Sequence, residues 1–412
     1  MKLAMLACCL LVTSVGRPKG LTPARESRYR SRIRQIFFVP DPLPELGAVV
    51  HSRFEPAPGV MAERVTYHTE FGMLVPAIVY FPKPMPRGKL PGIVVINGHG
   101  GDKYSWYAFY AGILYARAGA VVLTYDPAGE GERNVNHKSA SREHDQVVQP
   151  EDEMSRRLAG LMMTDVMQAV SFLREQPMVD PNRVGAMGYS MGSFVVSLAC
   201  AVDTRLHQCV AVGGGNLDWP GGKWDTGHPM CQGIPYRSLM FLGDRPGVVY
   251  ALQASHASTL VYNGLEDEVV EIPTHGHKFF EDLRRRVAQL NGSPKGVFEF
   301  DFSPTGGHRP WFVTKPVAVW LQEHLNFPNW TVAKIAQMPV TRIGEWAHMH
   351  NVFMQSSLAT ERREGGTPAL GDDIPGVPRK NLNVFSLADW ERMKDQLIYP
   401  YWVKQAQALI AR

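Results

Sequence analysis

Apolar residues fall into short runs of strand length separated by longer segments with helical spacing. Glu63–Phe71 alternates, with Val65 and Tyr67 among polar neighbours. Across Gly72 follows Met73–Phe81, which contains LVPAIVYF. The two segments predict an antiparallel hairpin. Ile93–Asn97 and Ala120–Tyr125 are short buried strands. Between them Trp106, Phe109, Tyr110, Ile113 and Leu114 recur at helical spacing. Glu151–Gln176 is the longest predicted helix. Its stripe includes Met154, Leu158, Leu161, Asp165, Val166 and Leu173, and Pro177 ends it. Further strands are expected at Val184–Met187, Gln208–Val212, Thr259–Tyr262 and Val297–Phe302. Further helices are expected at Phe194–Cys200, Thr274–Leu290 and Trp311–Leu325. Strands alternating with helices predict an α/β protein. Its sheet is mainly parallel with helices on both faces, and the hairpin supplies antiparallel edge strands.

The ends of the chain break this rhythm. Residues 17–57 are rich in proline and arginine and read as an extended arm, its Arg17–Arg34 charges a solvated run. Gly213–Ser255 is irregular, with a short helix near Tyr236–Leu242. Beyond Pro328 the pattern weakens to helical stretches at Trp330–Asn351 and Leu387–Ala411, joined by a Gly/Pro-rich stretch, Gly365–Pro378. The reading is therefore a core domain over 58–328 and an appendage over 329–412 packed on it. MKLAMLACCLLVTSVG, residues 1–16, reads as a secretory leader: Lys2, a short apolar core, and small residues at Ser14 and Gly16. A secreted or periplasmic protein follows from it. A lipid on Cys8 is the alternative processing. The apolar run is too short to span a bilayer.

Composition narrows the partners. The 412 residues are 45% hydrophobic and 20% charged, with a net charge of +4, too small to imply a nucleic-acid partner. Removing Cys8 and Cys9 leaves Cys200, Cys209 and Cys231, an odd count that excludes a disulfide scaffold. Cys200 and Cys209 lie in apolar settings and read as small core residues.

The chemistry centres on Gly188-Tyr189-Ser190-Met191-Gly192, set between a strand and a helix. That order describes the nucleophile elbow of α/β-hydrolases, in which a serine sits on a strained turn at a helix N-terminus. The Met191 N–H is then available to a developing oxyanion. A serine hydroxyl needs a base, and the base an orienting acid. In this fold the order is serine, acid, histidine. Asp267, after the strand STLVYNG, is the candidate acid. Glu266 and Glu268 stand beside it, and Asp218 after the preceding strand is the alternative. His308, in SPTGGHRPWF, is the candidate base among 14 histidines. His275 and His277 are the nearest rivals and read as surface or capping residues. A second oxyanion donor is expected from Gly100 or Gly101 in Gly98-His99-Gly100-Gly101-Asp102, after the strand IVVIN. Trp219 and Trp224 could line a sugar-binding cleft or anchor their own loop.

One further turn, Asp126-Pro127-Ala128-Gly129-Glu130-Gly131-Glu132-Arg133, follows the strand VVLTY. Together with the H-G-G and G-Y-S-M-G motifs, it resembles the bacterial acetyl xylan esterase-like and dienelactone hydrolase-like proteins. The resemblance covers about Glu63–Phe327. It implies an α/β-hydrolase fold and an esterase that uses no metal and no organic cofactor. It implies short acyl groups, carried on a small-molecule or carbohydrate ester. Glu130 and Arg133 are expected to brace the turn as an ion pair. A serine peptidase with the same triad, and a non-catalytic binding protein that kept the fold, remain the rival readings.

Overall fold

The computed structural model describes residues 20–146, 152–218, 222, 230–292 and 295–411. The expected leader, residues 1–16, lies outside them. So do Trp219 and Trp224.

The strands are β1 Val49–Ala57, β2 Val60–His68, β3 Leu74–Pro82, β4 Leu90–Ile96, β5 Val121–Tyr125, β6 Val179–Tyr189, β7 Gln208–Val212, β8 Ser258–Gly264 and β9 Phe298–Ser303. They form a nine-stranded sheet in the order β1-β2-β3-β5-β4-β6-β7-β8-β9. Pairing is antiparallel from β1 through β3 to β5 and parallel from β5 to β9. The two faces follow the two-residue period of a strand. Val94 and Ile96 of β4 enter one apolar core, Ile93 and Val95 the other. Helices α1 Pro23–Ile36, α3 Asp152–Glu175 and α4 Met191–Val202 contribute to the first core. Helix α2 Trp106–Ala118 and the helix Lys315–Leu325 contribute to the second.

Strand order reverses at β4: the chain passes outward to β5 and then returns to β6 on the other side. In open parallel sheets a crevice forms at the carboxyl ends of strands at such a switch point. Here the Gly98 loop follows β4 and Ser190 follows β6.

The N-terminal arm departs from expectation. Thr22 caps α1 by accepting the Arg25 N–H, and Pro23 opens the helix. Ile33 and Phe37 are buried. Arg30 is docked rather than solvated: it donates to Ala201 O at 3.1 Å, Leu252 O at 2.9 Å and Ser255 Oγ at 2.5 Å. The sheet also starts earlier than the hairpin predicted. β1 is an edge strand exposed along most of its length, so it carries no alternating apolar signal.

Cys200 and Cys209 are not separate core thiols. They are joined by a disulfide between the end of α4 and the start of β7. Cys231 is free and buried. No helix among the described residues is long and apolar enough to cross a membrane.

The stretch from 329 onward packs against the second face. It contains the helices Val332–Gln337, Ile343–Met349, Leu387–Leu397 and Tyr399–Ile410, and a two-stranded pairing of Val340–Arg342 with Pro368–Leu370. Trp346 and Trp390 are buried in that core, whereas Trp402 reaches the first one.

Candidate active site

Ser190 occupies the turn between β6 and α4 with φ 57° and ψ −116°, a region that non-glycine residues rarely visit. The glycines make this geometry possible. A Cβ on Gly188 would lie 2.1 Å from Gly192 O, and one on Gly192 would lie 2.4 Å from Ile96 O. Either would force strand and helix apart. Met191 is the first residue of α4, so its N–H is among the helix donors with no intrahelical partner.

His308 lies between Ser190 and Asp267. Its Nε2 accepts the Ser190 hydroxyl at 2.8 Å. Its Nδ1–H donates to Asp267 Oδ2 at 2.9 Å and is 3.1 Å from Oδ1. These roles follow from the partners, since a carboxylate can only accept. Asp267 is fully buried and its Oδ1 also accepts the Val269 and Val270 N–H groups, at 3.1 and 3.3 Å. That loop holds the carboxylate still. The arrangement can take a proton from the serine hydroxyl and steady the resulting imidazolium.

The other candidate acids stand elsewhere. Glu266 Oε2 accepts the Gly306 N–H at 3.4 Å. Asp218 is buried, and its carbonyl accepts the Tyr236 hydroxyl at 2.6 Å. His275 is not a surface residue. It is buried, with Nδ1 2.9 Å from Glu271 O and its ring against Phe279. His277 packs its ring against Phe302.

The glycine loop after β4 corrects one assignment. The Gly101 N–H donates to Gly98 O at 2.8 Å, which closes a tight turn and removes it as an oxyanion donor. Gly100, at φ 83°, packs on Ala140. Gly98 N–H goes to the Tyr107 hydroxyl at 3.1 Å, and a Cβ on Gly98 would lie 3.3 Å from Ser190 Cβ. The loop therefore lies against the serine.

Ser190 and His308 open into a cavity of about 1360 Å³. One wall is the Gly98–Asp102 loop. The C-terminal stretch lines it too, with Phe353, Met354, Arg363, Glu364 and Arg379. Sequence patterning did not mark these residues as part of a site.

Glu364 is the most informative of them. It is buried, accepts the Trp106 indole N–H at 2.7 Å and accepts the Tyr189 hydroxyl at 3.2 Å. Burial raises its pKa, against the lowering effect of the Trp106 bond and the His308 charge. The Tyr189 ring in turn packs on His308 at 5.0 Å. The His308 loop is held from the same side: Gly307 N–H donates to Arg362 O at 3.1 Å, and Arg309 Nε to Arg363 O at 3.0 Å.

The Asp126–Arg133 turn is a buried charge network rather than the expected Glu130–Arg133 pair. Arg133 pairs with Asp165 at 2.5 Å. Glu130 accepts the Ser141 and Arg142 N–H groups at 3.1 and 2.6 Å, yet burial pushes its pKa up to about 8. Lys103 bridges Asp126 and Glu132. Glu132 also accepts the Val384 and Phe385 N–H groups at 3.0 and 2.9 Å, which anchors the C-terminal stretch to the turn. Three charges with these backbone donors satisfy one another where isolated burial would be costly.

A sequence model of the prolyl oligopeptidase family matches residues 105–332, more than half of the chain. Among solved structures, the methylesterase BT1017 superposes with a TM-score of 0.57 at 20% identity, covering 94% of this chain and 76% of that one. A putative acetyl xylan esterase from Bacteroides fragilis gives 0.54 at 15% identity, covering 68% and 74%. At such identities the likeness is one of fold. Among curated proteins, thiohydrolase apmlB of Arthrinium phaeospermum is 27% identical over 152 residues, 37% of this chain and 43% of its own. An uncharacterized protein of Pseudomonas aeruginosa is 27% identical over 147 residues, 36% of this chain and 35% of its own. The matches therefore span less than half the length of these two relatives. With Ser190 on a strand-to-helix elbow, the chain belongs to the prolyl oligopeptidase family and has the α/β-hydrolase fold.

Proposed function

We propose that the protein is a serine carboxylic-ester hydrolase in which Ser190, His308 and Asp267 act as the triad. The observation that carries this is the unbroken run of hydrogen bonds from Ser190 Oγ through His308 to Asp267, 2.8 and 2.9 Å long. Ser190 attacks the ester carbonyl as His308 Nε2 takes its proton. The Met191 N–H, with that of Gly100, stabilises the oxyanion. His308 then protonates the leaving alkoxide, and water releases the acyl group by the same steps in reverse.

The substrate is a short acyl ester of a carbohydrate. Support comes from the roomy cavity with polar and aromatic walls. It comes also from fold neighbours whose names are methylesterase and acetyl xylan esterase. Trp219 and Trp224 remain candidate sugar contacts. The family match favours peptide cleavage as the second reading. Export after removal of residues 1–16 belongs to the same proposal, and the Cys200–Cys209 disulfide supports it, since such bonds persist in oxidising compartments.

A fluorophosphonate probe tests the nucleophile: it should label the wild type and leave Ser190→Ala unlabelled. Acetylated oligosaccharides should be turned over faster than dipeptides. Faster turnover of dipeptides would make the protein a peptidase.

A further inference from the structure

A cluster beside the glycine loop is not used by the triad. His99 Nε2 is 3.1 Å from His144 Nε2 and 3.0 Å from Asp145 Oδ1, and His144 Nε2 is 3.2 Å from the same oxygen. Cys231 Sγ completes the group, all four atoms lying within 4.8 Å of one another. His144 and Cys231 are buried. The residues come from three separate places: the loop after β4, the turn Glu143–Gln146, and the helix Met230–Arg237.

Hydrogen bonding alone cannot account for the triangle. Each neutral Nε2 has either one hydrogen or one lone pair, so it can serve one edge. If both imidazoles donate to Asp145, the two nitrogens face each other as donors at 3.1 Å. If one donates to the other, an edge to the carboxylate is left unmade. A cation that accepts a lone pair from each atom satisfies all three edges at once. The nitrogen and oxygen edges suit this, while the Cys231 Sγ, within 4.8 Å of the other three, would close in on binding. Ligand bonds of 2.0–2.1 Å in a tetrahedron give N and O atoms about 3.3 Å apart. The observed edges are 3.0–3.2 Å.

We propose that His99, His144, Asp145 and Cys231 form a tetrahedral Zn²⁺ site. Two imidazoles, a carboxylate and a thiolate suit zinc. The sulfur ligand excludes Mg²⁺ and Ca²⁺, which take oxygen. Four protein ligands make the site closed, and so structural rather than water-activating. On binding, the Cys231 thiol gives its proton to solvent and the sulfur lone pair goes to the metal. The ion would tie the Gly98–Asp102 loop to the helix Met230–Arg237, and so fix one wall of the cavity. The proposal does not depend on the esterase reading, since it concerns binding alone.

The untagged full chain, stripped with a chelator, is titrated with ZnCl₂ and separately with CoCl₂. One equivalent of zinc should bind tightly, and the cobalt form should show a thiolate-to-metal charge-transfer band. Cys231→Ser should lose that band and bind zinc more than about 100-fold more weakly, beyond the usual loss for groups that only support ligands. Asp145→Asn should keep the band yet also weaken zinc binding. It decides the matter if Cys231→Ser does not fold, as judged by near-ultraviolet circular dichroism. Substoichiometric zinc in the wild type overturns the site. So does wild-type zinc affinity in either folded variant.

Discussion

Glu364 Oε2 accepts the Trp106 indole N–H at 2.7 Å across 258 residues of sequence. Its other oxygen takes the hydroxyl of Tyr189, the residue before Ser190. Glu364→Ala should leave the buried Trp106 N–H unpaired and the Tyr189 hydroxyl with only the His308 carbonyl, 3.4 Å away, and lower stability by about 1–3 kcal/mol. Glu364→Gln keeps one acceptor and should lose less. Urea denaturation of both variants checks this, and equal losses would mean that the acceptor is not what matters.

Asp267→Asn should lower kcat by about 10⁴, because an amide would hold His308 in the wrong tautomer. Asp218→Asn should have a far smaller effect. Steady-state kinetics on an aryl acetate decides between them, and the reverse order would move the orienting acid to the earlier loop.

Glu70 links pH to stability. Burial raises its pKa to about 7, although Trp402 Nε1 at 2.9 Å and Thr164 Oγ1 at 3.0 Å donate to it. An unfolded glutamate titrates near about 4.3. Below that pH both states are protonated and Glu70 adds no difference. Between the two values only the folded state keeps the proton. Above about 7 both are ionised, and the folded state holds a buried anion. Stability should therefore fall as pH rises from about 4.3 to about 7, by up to about 4 kcal/mol from this residue. Glu70→Gln should remove that part of the slope. Urea melts at about pH 5 and about pH 8 measure it, and an unchanged slope in the variant would locate the dependence elsewhere.

Reduction of the Cys200–Cys209 bond should cost about 2–3 kcal/mol, the loop-closure value for a sequence separation of 9. Urea unfolding with and without reductant reads the loss. The Cys200→Ser/Cys209→Ser double variant should start lower and be insensitive to reductant.

Patterning made the middle of the chain legible because its strands are buried on both faces. β4 and β5 are buried at every position, and α3 carries a continuous stripe. The serine elbow was legible too, because its glycines answer a backbone demand that can be read locally. β1 was not, being an exposed edge. The Cys200–Cys209 bond was hidden by an odd cysteine count. His99, His144, Asp145 and Cys231 share no spacing rule, since only the folded sheet brings their segments together. Glu364 sits in a glycine-rich stretch whose composition says turn, and nothing local marks it as a partner of Trp106.

The dependence of the cavity on residues 350–379 sets an order of events during synthesis. Tyr189 and its elbow are made 175 residues before Glu364. At roughly 5–20 residues per second, that is a delay of about 9–35 s. Through that interval the nascent chain carries a serine with no finished cleft around it. Trp106 and Phe109 still lack Trp346, the aromatic neighbour that later covers them. The growing chain thus carries exposed aromatic surface for those seconds, the condition under which unfinished chains stick to one another.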